Sequence, residues 1–153
     1  MCGGLIFKTN KNEQFITAYF PRPYTKIYGV NRELKIIEAY WGKRDEIEFK
    51  DINVPKTGWA RIESLEKGFW NKFEYTKVLI PAYKYMEKDK TGHSHWFMLN
   101  ENEFIEAILI VKENLNFIYI VTVPSTEEYS KIHNRWVSVV YLDNYKKIIY
   151  LDK

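Results

Sequence analysis

The chain has one cysteine and three histidines in 153 residues, and each scarcity removes a class of protein. A lone thiol, Cys2, makes no internal disulfide, so the fold is not a disulfide scaffold. His93, His95 and His133 have no companion cysteines at zinc spacing, and neither a metal nor a cofactor is expected. His93-Ser94-His95 follows Lys90-Thr91-Gly92 and reads as the exit of a turn. No apolar run approaches the length of a membrane span and no hydrophobic segment opens the chain, so a cytoplasmic protein with no membrane partner is expected. A formal charge of only +3 permits nucleic acid without demanding it, because any basic face must be local.

What the chain does have is aromatic and β-branched side chains. An aromatic fraction of 17% within a hydrophobic fraction of 46% favours strands over helices and excludes a disordered chain. Strands are predicted around 5–7, 15–20, 24–30, 34–41, 78–82, 83–87, 96–99, 104–111 and 117–123, with a short edge segment over 47–54. Phe104–Val111 and Phe117–Val123 are nearly all apolar and are expected at the centre of a sheet. Leu65, Phe69, Trp70 and Phe73 have the spacing of a short amphipathic helix. Ser125-Thr126-Glu127-Glu128 reads as a cap leading a second helix over 129–133. A closing hairpin is predicted from 136–142 and 147–151 around Asp143-Asn144. The expectation is one domain, 1–153, monomeric, of α+β class but β-dominated: a curled or barrel-like mixed sheet with two short helices.

The one cysteine sits beside the initiator, in Met1-Cys2-Gly3. Removal of Met1 leaves Cys2 with an α-amine and a thiol on adjacent carbons. Their ordinary pKa values, roughly 7.7–8.0 and about 8.5, let modest perturbation make either a nucleophile at neutral pH. An aldehyde meeting this 1,2-aminothiol forms a Schiff base and then closes to a thiazolidine.

Several stretches, in order along nearly the whole chain, resemble the SRAP (SOS-response-associated peptidase) family, whose members covalently capture abasic sites in single-stranded DNA. Met1-Cys2-Gly3 is similar to the family's start. Trp59-Ala60-Arg61-Ile62-Glu63-Ser64 resembles its Asn-Ala-Arg-x-Glu-Thr segment. Val78 to Lys88 looks like its Cys-Leu-Ile-Pro-Ala-x-Gly-Phe-Tyr-Glu-Trp block, in register through Glu87. Ile132-His133-Asn134-Arg135-Trp136-Val137 looks like Ile-His-x-Arg-Met-Pro, and Trp41-Gly42 stands where the family has a Trp-Gly pair. The sequence departs from the pattern at Gly4, where the family has an arginine on phosphate, and at Trp59, where it has an asparagine beside the reactive cysteine.

The resemblance implies a catalytic set of Cys2, Glu87 and His133. Cys2 is the nucleophile, Glu87 the acid/base near the amine, and His133 protonates the sugar ring oxygen or steadies the adjacent phosphate. It implies DNA contacts from Arg61 and Arg135, and the partner is single-stranded DNA containing abasic sites. An ion pair with Glu63 or Glu66 is the alternative for the arginines. Trp59, Tyr83 and Tyr85 are candidate stacking surfaces, although many aromatics in such a chain fill the core. Peptidase and lyase labels come with the family. Two rival readings are a degenerate SRAP-fold module that binds a single strand without capture, and an N-terminal-cysteine amidotransferase, which needs a larger layered α/β domain.

Overall fold

Alternating runs of Ile, Val, Phe and Tyr drive most of the chain into strands. The computed structural model describes residues 2–9 and 14–142. In chain order it contains β1 (Cys2–Lys8), β2 (Phe15–Tyr19), β3 (Lys26–Val30), β4 (Ile36–Trp41), β5 (Trp59–Arg61), helix α1 (Ile62–Glu66), β6 (Thr76–Ile80) and β7 (Lys84–Lys88). There follow β8 (Ser94–Met98), β9 (Glu103–Lys112), β10 (Leu115–Pro124), β11 (Arg135–Val137) and β12 (Val139–Tyr141).

The strands form two sheets. One is four-stranded and antiparallel, ordered β2-β1-β7-β8, so the strand bearing Cys2 is an inner one. In the other, β10, β4, β3, β6 and β9 close into a five-stranded barrel, sealed by β9 on β10 and mixed because β4 runs parallel to β10. This is the β-dominated α+β architecture expected from the sequence. β9 and β10 are buried along most of their length, as their apolar runs require. β5 extends the barrel wall by pairing parallel with β10.

The main core lies between the two sheets. Leu5 and Phe7 from the small sheet meet Trp41, Ile80, Ile105 and Ile118 from the barrel. Each such side chain contributes roughly 1.5–3 kcal/mol relative to exposure. Gly42, at φ +56, passes so close to the 57–58 turn that a Cβ would lie 2.0 Å from the Thr57 carbonyl oxygen. Glycine there lets the chain turn away from β4 against that backbone.

Several elements differ from expectation. The helix predicted over 65–73 is instead α1 followed by a separate 3-10 turn over Asn71–Phe73. Gly68 adopts φ +83, which ends the helical path, and Phe69 projects into solvent. The second helix is also absent. Residues 127–132 form successive turns, with the Ser130 N–H on the Thr126 carbonyl and the His133 N–H on the Tyr129 carbonyl. The edge segment expected over 47–54 is a set of turns, because Asp45 Oδ1 accepts the Ile47 and Glu48 N–H groups and Phe49 takes φ +51. The strand expected over 136–142 is broken at Ser138, which stands where β9 and β10 splay apart. Its N–H reaches the Val121 carbonyl while its own carbonyl receives the Glu106 N–H. The hairpin around Asp143-Asn144 lies outside the described residues.

Candidate active site at the start of the chain

Cys2 faces Glu87 across β1 and β7, and Leu5 faces Tyr85. In a regular strand two residues three apart point to opposite faces, but Cys2 and Leu5 both point inward. The reconciling feature is a bulge at Gly3-Gly4, where the register shifts by a residue opposite Met86. Gly4 is the tight position of the bulge: a Cβ there would sit 3.1 Å from the Trp96 ring and 3.2 Å from Met86 Cβ, whereas one on Gly3 would make only an ordinary contact with Met86. The glycine run after the cysteine therefore turns the first residues into the core.

Cys2 and Glu87 are both fully buried. The Cys2 thiol donates to the Gly4 carbonyl at 3.4 Å. Burial, reinforced by the neighbouring Glu87 charge, pushes the thiol pKa well up. Burial also pushes Glu87 up, to about 7, with the positive charge of the amino terminus acting against it. A carboxyl group balanced near neutrality thus lies opposite the only cysteine of the chain.

Trp59 supplies the next contact. Its indole N–H donates to the Cys2 carbonyl at 2.8 Å, joining β5 of the barrel to β1 of the small sheet. A hydrogen-bond donor from the barrel therefore reaches the cysteine end of β1. The indole leans on Phe20, with ring centroids 4.6 Å apart. Arg44 fixes Phe20 from behind: its Nε donates to the Phe20 carbonyl and its guanidinium lies 4.4 Å over the ring. Glu48, itself buried, holds Arg44 at 2.9 Å and accepts the Tyr24 N–H at 2.6 Å. A groove of about 420 Å³ opens beside these rings, lined by Gly3, Phe20, Trp59 and Met86 with Arg22 and Lys88 at its sides.

The remaining predicted residues divide. His133 is half-buried after the 127–132 turns and accepts the Arg135 backbone N–H on Nδ1 at 3.1 Å, which leaves the ring proton on Nε2. Its pKa is lowered by burial and then by the amino-terminal charge, the same charge that opposes the rise at Glu87. Arg135 is buried, and its guanidinium is occupied. It grips Glu63 at 2.7 and 2.9 Å and the Thr122 carbonyl at 2.8 Å, and this bond draws the Glu63 carboxyl down to about 2. The ion-pair alternative describes Arg135, which ties β11 to α1. Arg61, at the end of β5, is exposed. Tyr85 is not available for stacking on a base: it is buried, stacks on Phe97 at 5.4 Å and receives the Trp136 indole N–H at 2.8 Å.

Sequence reasoning missed Phe20 and the Arg44–Glu48 pair. Their signal was weak, since an Arg and a Glu four apart in a charged turn usually denote a solvated ion pair. It also missed Trp96, which covers Gly4 from the outside. A larger hollow of about 630 Å³, lined by Asn31, Arg32, Asn71 and Tyr75 among others, touches none of the predicted residues. His93-Ser94-His95 leaves a turn as expected: the Asp89 N–H meets the His93 carbonyl at 2.9 Å, β8 begins at Ser94, and Asp89 also binds the His95 ring at 2.7 Å. No family model matches this chain, and no curated protein matches it in sequence. Among the described residues, no helix is long and apolar enough to cross a membrane.

Proposed function

We propose that the protein is a divergent SRAP-like protein that binds single-stranded DNA and captures abasic sites through Cys2 once Met1 has been removed. The observation that carries the reading is the pairing of Cys2 with a buried carboxyl of pKa about 7, with Trp59 bonded to the same cysteine. The groove beside them has aromatic walls and cationic sides, which suits an unpaired strand.

The chemistry balances without an oxidant or reductant. The Cys2 amine adds to the aldehyde carbon of the open abasic sugar, and the carbinolamine loses one water to give an imine. Glu87 takes the proton that the amine sheds and returns one to the departing hydroxyl. The thiol then adds across the C=N bond, its proton passing to nitrogen, and the five-membered thiazolidine closes. A thiol kept protonated by burial is no obstacle to the first step, which belongs to the amine. His133, with Nδ1 accepting and its proton on Nε2, offers a hydrogen bond to the sugar ring oxygen or the adjacent phosphate.

Full burial of the thiol favours a second reading, the degenerate module that binds a strand reversibly. One experiment separates the two. Trimmed protein incubated with an abasic oligonucleotide is expected to give an adduct that survives denaturation without reductant, and Cys2→Ala none. Salt-sensitive binding with no adduct selects the module.

A further inference from the structure

The outer face of the four-stranded sheet is one-sided in charge. Because Leu5, Phe7, Tyr85 and Glu87 point into the core, their strand neighbours point out, among them Lys8, Lys84, Lys88, Phe15, Tyr19 and Trp96. No Asp or Glu occupies an outward position on β1, β2, β7 or β8. Among the described residues, none of these lysines is in an ion pair. The same face carries large apolar groups in solvent: Phe15 is 54% exposed, Trp96 37% and Met98 61%.

Aromatic pairs mark its two ends. Phe15 meets Tyr83 at 5.4 Å, and Tyr19 meets Trp96 at 6.3 Å. Each pair has a cation over a ring, Lys84 at 5.7 Å from Tyr83 and Arg22 at 5.1 Å from Tyr19. Phe15 and Tyr19 lie four steps apart along β2, about 13 Å at strand rise. Cations without carboxylates select a polyanion, and ring faces at intervals select a polyanion with unpaired bases. A duplex hides its bases, an acidic peptide offers no ladder of flat rings, and an anionic membrane, which also takes lysines beside Trp and Phe, is the competing outcome of the test.

We propose that this face is a second binding surface for single-stranded DNA, with phosphates on Lys8, Lys84 and Lys88 and bases stacked at the two aromatic pairs. The choice of partner rests on the single-strand reading above, but no reaction of Cys2 is needed. Tyr19 and Lys88 also line the groove beside Trp59, so a strand leaving the groove continues directly onto the sheet.

The test is fluorescence anisotropy of undamaged oligothymidylate with the full-length Cys2→Ala chain over a salt series. Lys8→Glu with Lys84→Glu is expected to weaken binding at least tenfold and to lower the salt slope by about 1.4, the single-strand value for two phosphates. Phe15→Ser is expected to weaken binding with the slope unchanged. If the charge reversals unfold the chain, Lys8→Gln with Lys84→Gln replaces them, with the same expectation. Adduct formation by wild-type Cys2 on an abasic trinucleotide, too short to reach Lys8, is the separate readout of the reactive end. Loss of oligothymidylate binding in the lysine variants supports the surface even where no adduct forms. Unchanged binding overturns it even where the adduct forms. Equal lysine dependence for phosphatidylserine vesicles but none for oligothymidylate, or a tenfold preference for oligouridylate, also overturns it.

Discussion

At the scale of single residues, Glu87 and Trp59 carry the sharpest consequences. A carboxyl whose pKa rises from the ordinary 4.5 to about 7 on folding binds more protons in the native than in the unfolded state between those values. The contribution of Glu87 to stability therefore falls as pH rises through that window and changes no further above it. The full effect is about 3 kcal/mol. Glu87→Gln is expected to abolish the decline in denaturation midpoint between pH 5 and 7, to be more stable than wild type at pH 8, and to lose capture. An unchanged pH profile would place the Glu87 charge elsewhere than the buried position found here. Trp59→Phe keeps the ring against Phe20 and removes only the N–H that holds the Cys2 carbonyl. We expect it to cost about 1 kcal/mol in chemical denaturation and to slow single-turnover capture about fivefold. A larger stability loss with an unaltered capture rate would make Trp59 a packing residue alone.

At the scale of elements, the Gly3-Gly4 bulge is the device that brings a reactive end to an inner strand. A side chain at position 4 would crowd the Trp96 ring and Met86, 3.1 and 3.2 Å from its Cβ. Gly4→Arg is expected to lower stability by about 1–3 kcal/mol through overpacking, and Trp96→Ala in the same chain to recover part of that loss. Strict additivity in thermal unfolding would mean that the two positions do not meet. The helices teach the opposite lesson about what a sequence reveals. The periodicity of Leu65, Phe69, Trp70 and Phe73 was genuine, yet Gly68 at φ +83 interrupts it, and Trp70 packs on Tyr119 at 5.1 Å from a separate turn. Strands were legible because alternation survives in their neighbours. The turns over 47–54 were not, because a single aspartate side chain decided them.

At the scale of the whole molecule, a closed barrel and a four-stranded sheet clasp the core between them, and the start of the chain is held at their junction. Trp59 crosses from barrel to sheet at Cys2, and Trp136 crosses at Tyr85. The barrel-like sheet could be foreseen from strand number and the apolar runs of β9 and β10. The junction could not, because Phe20, Arg44 and Glu48 converge through long-range contacts that no local pattern announces. Arg135 shows the same limit in reverse: its motif suggested phosphate, while the fold commits it to Glu63.

The central claim is that Cys2, freed of Met1, closes a ring on an abasic aldehyde beside Glu87. Intact mass spectrometry tests it most directly. The protein alone is expected at the mass of the chain beginning at Cys2, and after incubation with an abasic single strand at the sum of that mass and the strand less one water, stable to heating without borohydride. A chain shown by its mass to begin at Cys2 that gains no oligonucleotide, or gains it equally as Cys2→Ala, would contradict the account.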